Sequence, residues 1–248
     1  MAKPDTGLHF EKVQNRECGM KSHRSAAKTA GVLFIIGTVA GVLSISPIID
    51  GPDYLIKSSA NENRVIAGAL FQLIMAAAYV GFAISLYPIL RKYNEGLAIG
   101  FVGFRFIAGA LNILGVISIL LLLTLSQDFV KAGAPDSSHF QVLGELLRAG
   151  RDLVNHVAMI LAHSLGGLMF CYLLYETKLV PRWLSGWGLG GTALTMLASL
   201  LVMFRLIGII TPTYIVLNLP VALQEMFLAL WLIMKGFNRS AIASVSEE

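Results

Sequence analysis

Apolar residues gather in six long blocks separated by short polar stretches, and within a block the polar positions are too few to mark a solvated face. A soluble amphipathic helix would show such a face at a period of 3.6 residues, and a half-buried strand would alternate at a period of two. Blocks of about 20 apolar residues are instead what ~30 Å of hydrocarbon requires of a helix. The pattern predicts an all-α, polytopic transmembrane bundle with spans at about 29–49, 65–86, 97–125, 153–175, 184–204 and 213–234. Lys28 opens the first block, and Tyr87-Pro88 followed by Arg91-Lys92 is expected to end the second. Between the third and fourth lies a polar stretch, 127–152, in which Phe140, Leu143, Leu146 and Leu147 recur at helical spacing behind Ser138-x-x-Gln141. That spacing predicts an amphipathic interfacial helix with a capping box. The transmembrane domain is thus expected over 28–236, between a polar tail, 1–27, and a short tail, 237–248.

The first block superficially matches a secretory signal. It exceeds the roughly 7–15 residues of a signal's apolar region and lacks a small-x-small cleavage site, so a retained first span is expected. Residues 1–19 show no periodicity, and Met20-Lys21-Ser22-His23-Arg24 would make an ordinary start before such a span. Residues 1–19 are therefore a candidate mis-called extension, which detection of a peptide from before Met20 would reject.

Composition sharpens the class. Of 248 residues, 56% are hydrophobic and 14% charged, where an average soluble domain carries about 25% charge. With a mean hydropathy of +0.71, the chain excludes a soluble enzyme and leaves little length for an extramembrane domain. The net charge is +4, but the basic residues flank the apolar blocks and form no stripe, so they read as topology signals and not as a nucleic-acid surface. With the N-terminus inside, Lys3, Lys12, Arg16, Lys21, Arg24, Lys28, Arg91, Lys92, Lys178, Arg182, Lys235 and Arg239 fall on one side. Lys57, Arg64, Lys131, Arg148, Arg151 and Arg205 fall on the other. This two-to-one bias predicts both termini in the cytoplasm. Cys18 and Cys171 are too few and too far apart for a disulfide framework or a thiolate metal site, and no metal or cofactor is expected.

Two charges lie inside the spans. Arg105 is eight residues beyond the start of the third block, roughly 12 Å deep, and Glu225 is ten residues before Lys235, roughly 15 Å deep from the same side. Either one costs at least ~2.5 kcal/mol at mid-membrane unless paired or hydrated. An Arg105–Glu225 ion pair is therefore expected, with Gln72, Asn112 and Gln224 completing its hydrogen bonds. Such a pair serves either as a structural clasp between helices or as a gate or ion-coupling site.

In the fourth block Asp152, Asn155, His156, Met159 and His163 share one face of an ideal helix. His156 and His163 are about 10 Å apart along it, too far to hold one metal ion together. Neutral histidines bonded across a helix interface, or a proton relay, are the readings that remain. His163-Ser164-Leu165-Gly166 is close to a hydrolase nucleophile elbow, which needs a strand and a strained turn; mid-helix it reads as a small-residue packing surface. Gly37-x-x-x-Gly41, Gly96-x-x-x-Gly100 and Gly186-x-x-x-Gly190 read the same way, as weak dimerisation signals. Pro220 is expected to free the Val216 carbonyl and bend the sixth span just above Glu225.

The segments Leu86-Tyr-Pro-Ile-Leu-Arg-Lys-Tyr-Asn94, Leu179-Val-Pro-Arg-Trp-Leu-Ser-Gly-Trp-Gly188 and Leu219-Pro-Val-Ala-Leu-Gln-Glu-Met-Phe-Leu-Ala-Leu-Trp-Leu-Ile-Met-Lys-Gly-Phe-Asn238, with Arg105 in the third span, carry a family resemblance. From about Lys21 to Asn238 the chain resembles the bacterial membrane family called domain of unknown function 4386. The resemblance implies a six-helix protein of bacterial plasma membranes and brings no established activity, substrate or catalytic residue. Three functions then compete. A non-catalytic interaction, sensing, stress-response or assembly component fits the short loops and the lack of a nucleotide site, a repeated metal signature or a soluble catalytic domain. A secondary transporter would use the Arg105–Glu225 layer, though no repeat of three-helix halves is visible. An intramembrane enzyme or haem protein would need more than Asp152, His156 and His163 supply. The expected partners are the bilayer and either a second copy or another membrane protein.

Overall fold

A computed structural model describes residues 6–134, 138–209, 211–238 and 240–242, with side chains described from residue 23 onward. Nine α-helices follow one another among these residues: α1 (Thr6–Leu43), α2 (Pro47–Asp50), α3 (Tyr54–Ala60), α4 (Glu62–Leu90), α5 (Glu95–Lys131), α6 (Ser138–Leu153), α7 (Met159–Thr177), α8 (Arg182–Met203) and α9 (Pro212–Met234). A five-residue π-helix, Val154–Ala158, joins α6 to α7 without a break. Six stretches are long and apolar enough to cross a membrane, and in each only 22–50% of the most apolar window is buried. The outward halves are apolar as well, with Val39, Leu70, Ile107, Leu121, Val216 and Phe227 all exposed. In water this surface would be unsustainable; facing lipid tails it costs nothing. The chain is a multi-pass membrane protein.

Each spanning helix packs on its neighbours in sequence, and α9 returns to pack on α1, so the bundle is a closed ring of six. Small residues close it. A Cβ on Gly31 would meet Ile233 Cγ1 at 2.6 Å and the Ala229 carbonyl at 2.7 Å, so only glycine lets α1 and α9 come this near. At the α8–α9 seam a Cβ on Gly191 would stand 3.0 Å from the Val221 nitrogen and 3.3 Å from the Pro220 carbonyl carbon. The expected Gly-x-x-x-Gly motifs are used differently. Gly37 and Gly41 face Tyr79 and Met75 of α4 in the same chain, Gly100 faces Met169, and nothing lies within 4 Å of a Cβ on Gly190. The close approach on α8 runs through Gly188 and Gly191, a register the Gly186/Gly190 spacing did not mark.

Two apolar clusters fill the ring. At the end carrying Lys92 and Lys178, Phe34, Phe82, Phe101 and Phe170 interlock with Leu86 and Leu174; Phe82 meets Phe101 and Phe170 edge-on, and Phe101 stacks on Phe170 at 4.7 Å. At the other end Ile49, Leu55, Val65, Ile119, Leu122 and Phe129 form a second cluster, with Phe140 and Leu147 of α6 packed against it.

Several boundaries differ from the sequence pattern. The polar stretch before Lys28 is already helical from Thr6. Pro88 sits in the last turn of α4, which runs on to Leu90. The loop after the first span holds α2 and α3, opened by Asp53 at φ 59°. Helix α5 is 37 residues, about 55 Å at 1.5 Å per residue, so it outreaches the hydrocarbon by several turns. The overhang packs against α3 and α6. Helix α6 is amphipathic, keeping Val142, Leu143 and Leu146 exposed, and continues into the fourth span. Asn94 and Thr211 cap α5 and α9, accepting from Leu97 N at 2.9 Å and Tyr214 N at 3.3 Å.

Candidate intramembrane polar site

The charges of α5 and α9 do not touch. His163 of α7 stands between them: Arg105 Nη1 lies 2.6 Å from both ring nitrogens, and His163 Nε2 is 3.4 Å from Glu225 Oε1. The direct Arg105–Glu225 ion pair expected from their matching depths is thus replaced by a line of three residues. The depth arithmetic placed both charges in one layer but could not supply the angle about each helix axis, and α7 fills the space between them. A neutral imidazole has one acceptor and one donor nitrogen. The assignment that satisfies both neighbours has Nδ1 accepting from Arg105 and Nε2–H donating to Glu225.

Aromatic rings wall the line. The Arg105 guanidinium carbon lies 5.5–5.8 Å from the centroids of Tyr79, Phe82 and Phe101, within range of cation–π attraction. Tyr79 also meets the His163 ring edge-on at 5.4 Å, and its hydroxyl is 3.3 Å from Thr38 Oγ1 of α1. Five helices of the ring therefore converge here. Arg105 is 3% exposed and its Nε has no hydrogen-bond partner. His163 and Glu225 side chains retain 21% and 24% exposure, so the line runs from a sealed end on α5 to a partly open end on α9.

The residues expected to support this layer lie elsewhere. Gln72 Nε2 donates to Asn112 Oδ1 at 2.7 Å and to Asn155 Oδ1 at 3.0 Å, a separate polar cluster joining α4, α5 and the π turn. Gln224 Nε2 donates to the Leu184 carbonyl at 3.1 Å, tying α9 to α8. The shared face expected of α7 is divided as well. Asp152 accepts from Arg151 at 2.6–2.9 Å, and Arg151 also pairs with Asp50 of α2. His156 Nδ1 meets the Tyr214 hydroxyl of α9 at 3.1 Å, and its carbonyl accepts from Ser199 Oγ of α8 at 3.0 Å. A π turn holds one residue more than an α turn, so the phase set at Asp152 has slipped by about one residue at Met159. That slip is why face arithmetic on an ideal helix joined residues the structure separates. The free thiol Cys171 is buried, Ser164 sits mid-helix away from any strand or turn, and Cys18 lies outside the described side chains.

Chemically, the line is an acid–base pair bridged by an imidazole, sited where water is scarce. Among the described residues no group of three or more His, Cys, Asp or Glu is placed to hold a metal ion.

Residues 29–236 match the family described as Domain of unknown function (DUF4386), and the chain belongs to it. Comparison with curated proteins and with solved structures found no match.

Proposed function

We propose that this member of the family of unknown function 4386 is a multi-pass protein of the bacterial plasma membrane, with both termini in the cytoplasm. It works there as a non-catalytic sensing or interaction component, alone or with a membrane partner, and Arg105–His163–Glu225 is its responsive element. The observation behind this reading is His163 held between a cation on one helix and an anion on another. Neutral, it accepts from Arg105 and donates to Glu225. Protonated, both ring nitrogens carry hydrogen: the contact with Arg105 turns repulsive and that with Glu225 becomes an ion pair. A proton thus moves the preference of α7 from α5 toward α9, which is the differential contact a two-state device needs. Besides Arg105 and Glu225, the titratable group facing His163 is Tyr79 on α4. At that depth α1 and α8 contribute only hydroxyls and apolar groups.

Trp187 of α8 lies 5.7 Å from Phe227 of α9 and reports on that seam. Tryptophan fluorescence of the wild type in lipid nanodiscs should show a one-proton transition on acidification, absent from His163→Gln. A flat wild-type profile, or a transition kept in the variant, refutes the reading.

A second reading, a secondary transporter for a small molecule or ion, is favoured by the partial exposure of Glu225, an ionisable residue inside a span. It predicts gradient-driven flux into proteoliposomes that Glu225→Gln abolishes.

A further inference from the structure

The end of the bundle carrying Lys178, Arg182 and Lys235 holds a cleft of about 450 Å³ between the α7–α8 turn and the end of α9. Its frame is fixed by the backbone: Asn238 N donates to the Leu179 carbonyl at 2.9 Å, stapling the chain after α9 to the turn. Leu179, Val180 and Phe237 form a buried floor. Lys178 closes α7 at φ 55° and Gly236 follows α9 at φ 70°, so both rims are turned back by left-handed residues.

Three cations line this cleft, and none of them has a carboxylate partner among the described residues. Lys235 Nζ is instead 4.2 Å from the centroid of Trp231, and the Arg182 guanidinium carbon is 5.0 Å from that of Tyr175. Glu176, the nearest acid in sequence, pairs with none of them. Helix α8 begins here too, after Pro181, with no side-chain cap and no acidic residue in its first turn. Its first N–H groups and its positive dipole end thus add to the three charges. Trp183, 58% exposed, and Trp231 mark the level at which aromatic side chains sit between hydrocarbon and water. Positive charge at that level, over an apolar floor, matches one kind of occupant: a phosphate that carries acyl chains.

We propose that this cleft binds the phosphate headgroup of an anionic phospholipid, with Lys178, Arg182 and Lys235 around the phosphate and the acyl chains running down the groove beside Trp231. Basic pockets between spanning helices hold headgroups in this way, at about 1 kcal/mol per Lys or Arg near the surface, or roughly fivefold in affinity each.

The test uses the full chain, purified in detergent and exchanged into nanodiscs. Native mass spectrometry counts phosphatidylglycerol retained from mixed phosphatidylglycerol–phosphatidylcholine membranes. Wild type should retain the anionic lipid selectively, and Lys178→Asn/Arg182→Gln/Lys235→Gln should lower retention about a hundredfold; Asn is used at Lys178 because it tolerates the left-handed backbone. Arg91→Gln/Lys92→Gln, basic residues of the same end outside the cleft, should lower it much less. Equal retention by wild type and the triple variant overturns the proposal, as does an equal loss in the Arg91/Lys92 variant. Inorganic phosphate displacing the lipid at matched concentration also overturns the lipid occupant and assigns the cleft to a soluble anion. If the triple variant does not fold in phosphatidylcholine, Lys235→Gln and Arg182→Gln singly should each cost about fivefold, and no loss in either refutes the site.

Discussion

Replacing His163 with leucine isolates the middle of the charged line. Arg105 would keep its charge in a site 3% exposed, with Nε already lacking a partner and Nη1 now losing its one described acceptor. Stripping the partner from a buried charge costs about 3–5 kcal/mol. The Arg105→Leu change leaves a neutral imidazole with one unmet acceptor, about 1–3 kcal/mol. Made together, the two changes remove both ends of the same contact. The double variant should therefore be less destabilised than the sum of the singles by about 1–3 kcal/mol, the range found for residues in one hydrogen-bond network. Glu225 keeps its place on the partly exposed side in all three variants. Reversible denaturant unfolding in mixed micelles measures this cycle; for a chain of this size His163→Leu should lower the thermal midpoint by about 6–20 °C. The Arg105/Glu225 cycle should show the smaller coupling, because the imidazole stands between them. Additivity within about 0.5 kcal/mol in the Arg105/His163 cycle, or a larger coupling in the Arg105/Glu225 cycle, would refute the three-residue line.

Gly115→Ala should destabilise the bundle by about 1–3 kcal/mol, because the new Cβ would overlap Asn155 Oδ1 and stand 2.9 Å from Gln72 Nε2; adding Asn155→Ala should recover part of the loss in the same unfolding assay. Tyr214→Phe removes the hydroxyl that meets His156 Nδ1 at 3.1 Å and should cost about 0.5–1.5 kcal/mol while leaving the fluorescence transition of His163 in place. Outside the spans, burial holds the Tyr54 hydroxyl above its ordinary 10, opposed by Arg148 and helped by Glu145. A group raised in the folded state contributes stability that is whole below the unfolded value and lost as pH climbs through the folded one. The contact of Tyr54 with the Gln141 carbonyl should therefore loosen above about pH 10, seen as faster hydrogen exchange in α3 and α6, and Tyr54→Phe should remove that step.

The spans were legible because hydrocarbon length is a strong constraint on one sequence: each block had to be long, apolar and flanked by charge or a turn, whatever it packed against. The short helices α2 and α3 were not, since four and seven residues leave no periodic signal. Arg105 and Glu225 stood out by their cost in lipid, and His163 by its polarity within α7. What the pattern lacked was rotation. The depth of a residue follows from counting at 1.5 Å per position, whereas its bearing depends on which neighbours each helix has and on local departures from 100° per residue. The π turn at Val154–Ala158 is such a departure. Two separated charges in one layer therefore read as a pair, and Gln72 and Asn112 as their helpers, when they belong to a cluster around Asn155.

That cluster and the charged line share one continuous helical stretch, Ser138–Thr177. Asn155 is fixed to α4, Ser199 of α8 holds the His156 carbonyl, and His163 lies eight residues, about 12 Å, further along the same axis. If protonation draws His163 from Arg105 toward Glu225, α7 must rotate against an end that is pinned at Asn155. The strain concentrates in the segment between them, which begins with a π turn carrying a residue more than the α-helix needs. A turn with one residue to spare takes up rotation with less disturbance than a regular α turn, where every carbonyl is committed to the residue four positions on. On the proposed pH response, the π turn, which itself carries Asn155 and His156, would take up the rotation of α7 at His163 while Gln72 and Ser199 go on holding that turn.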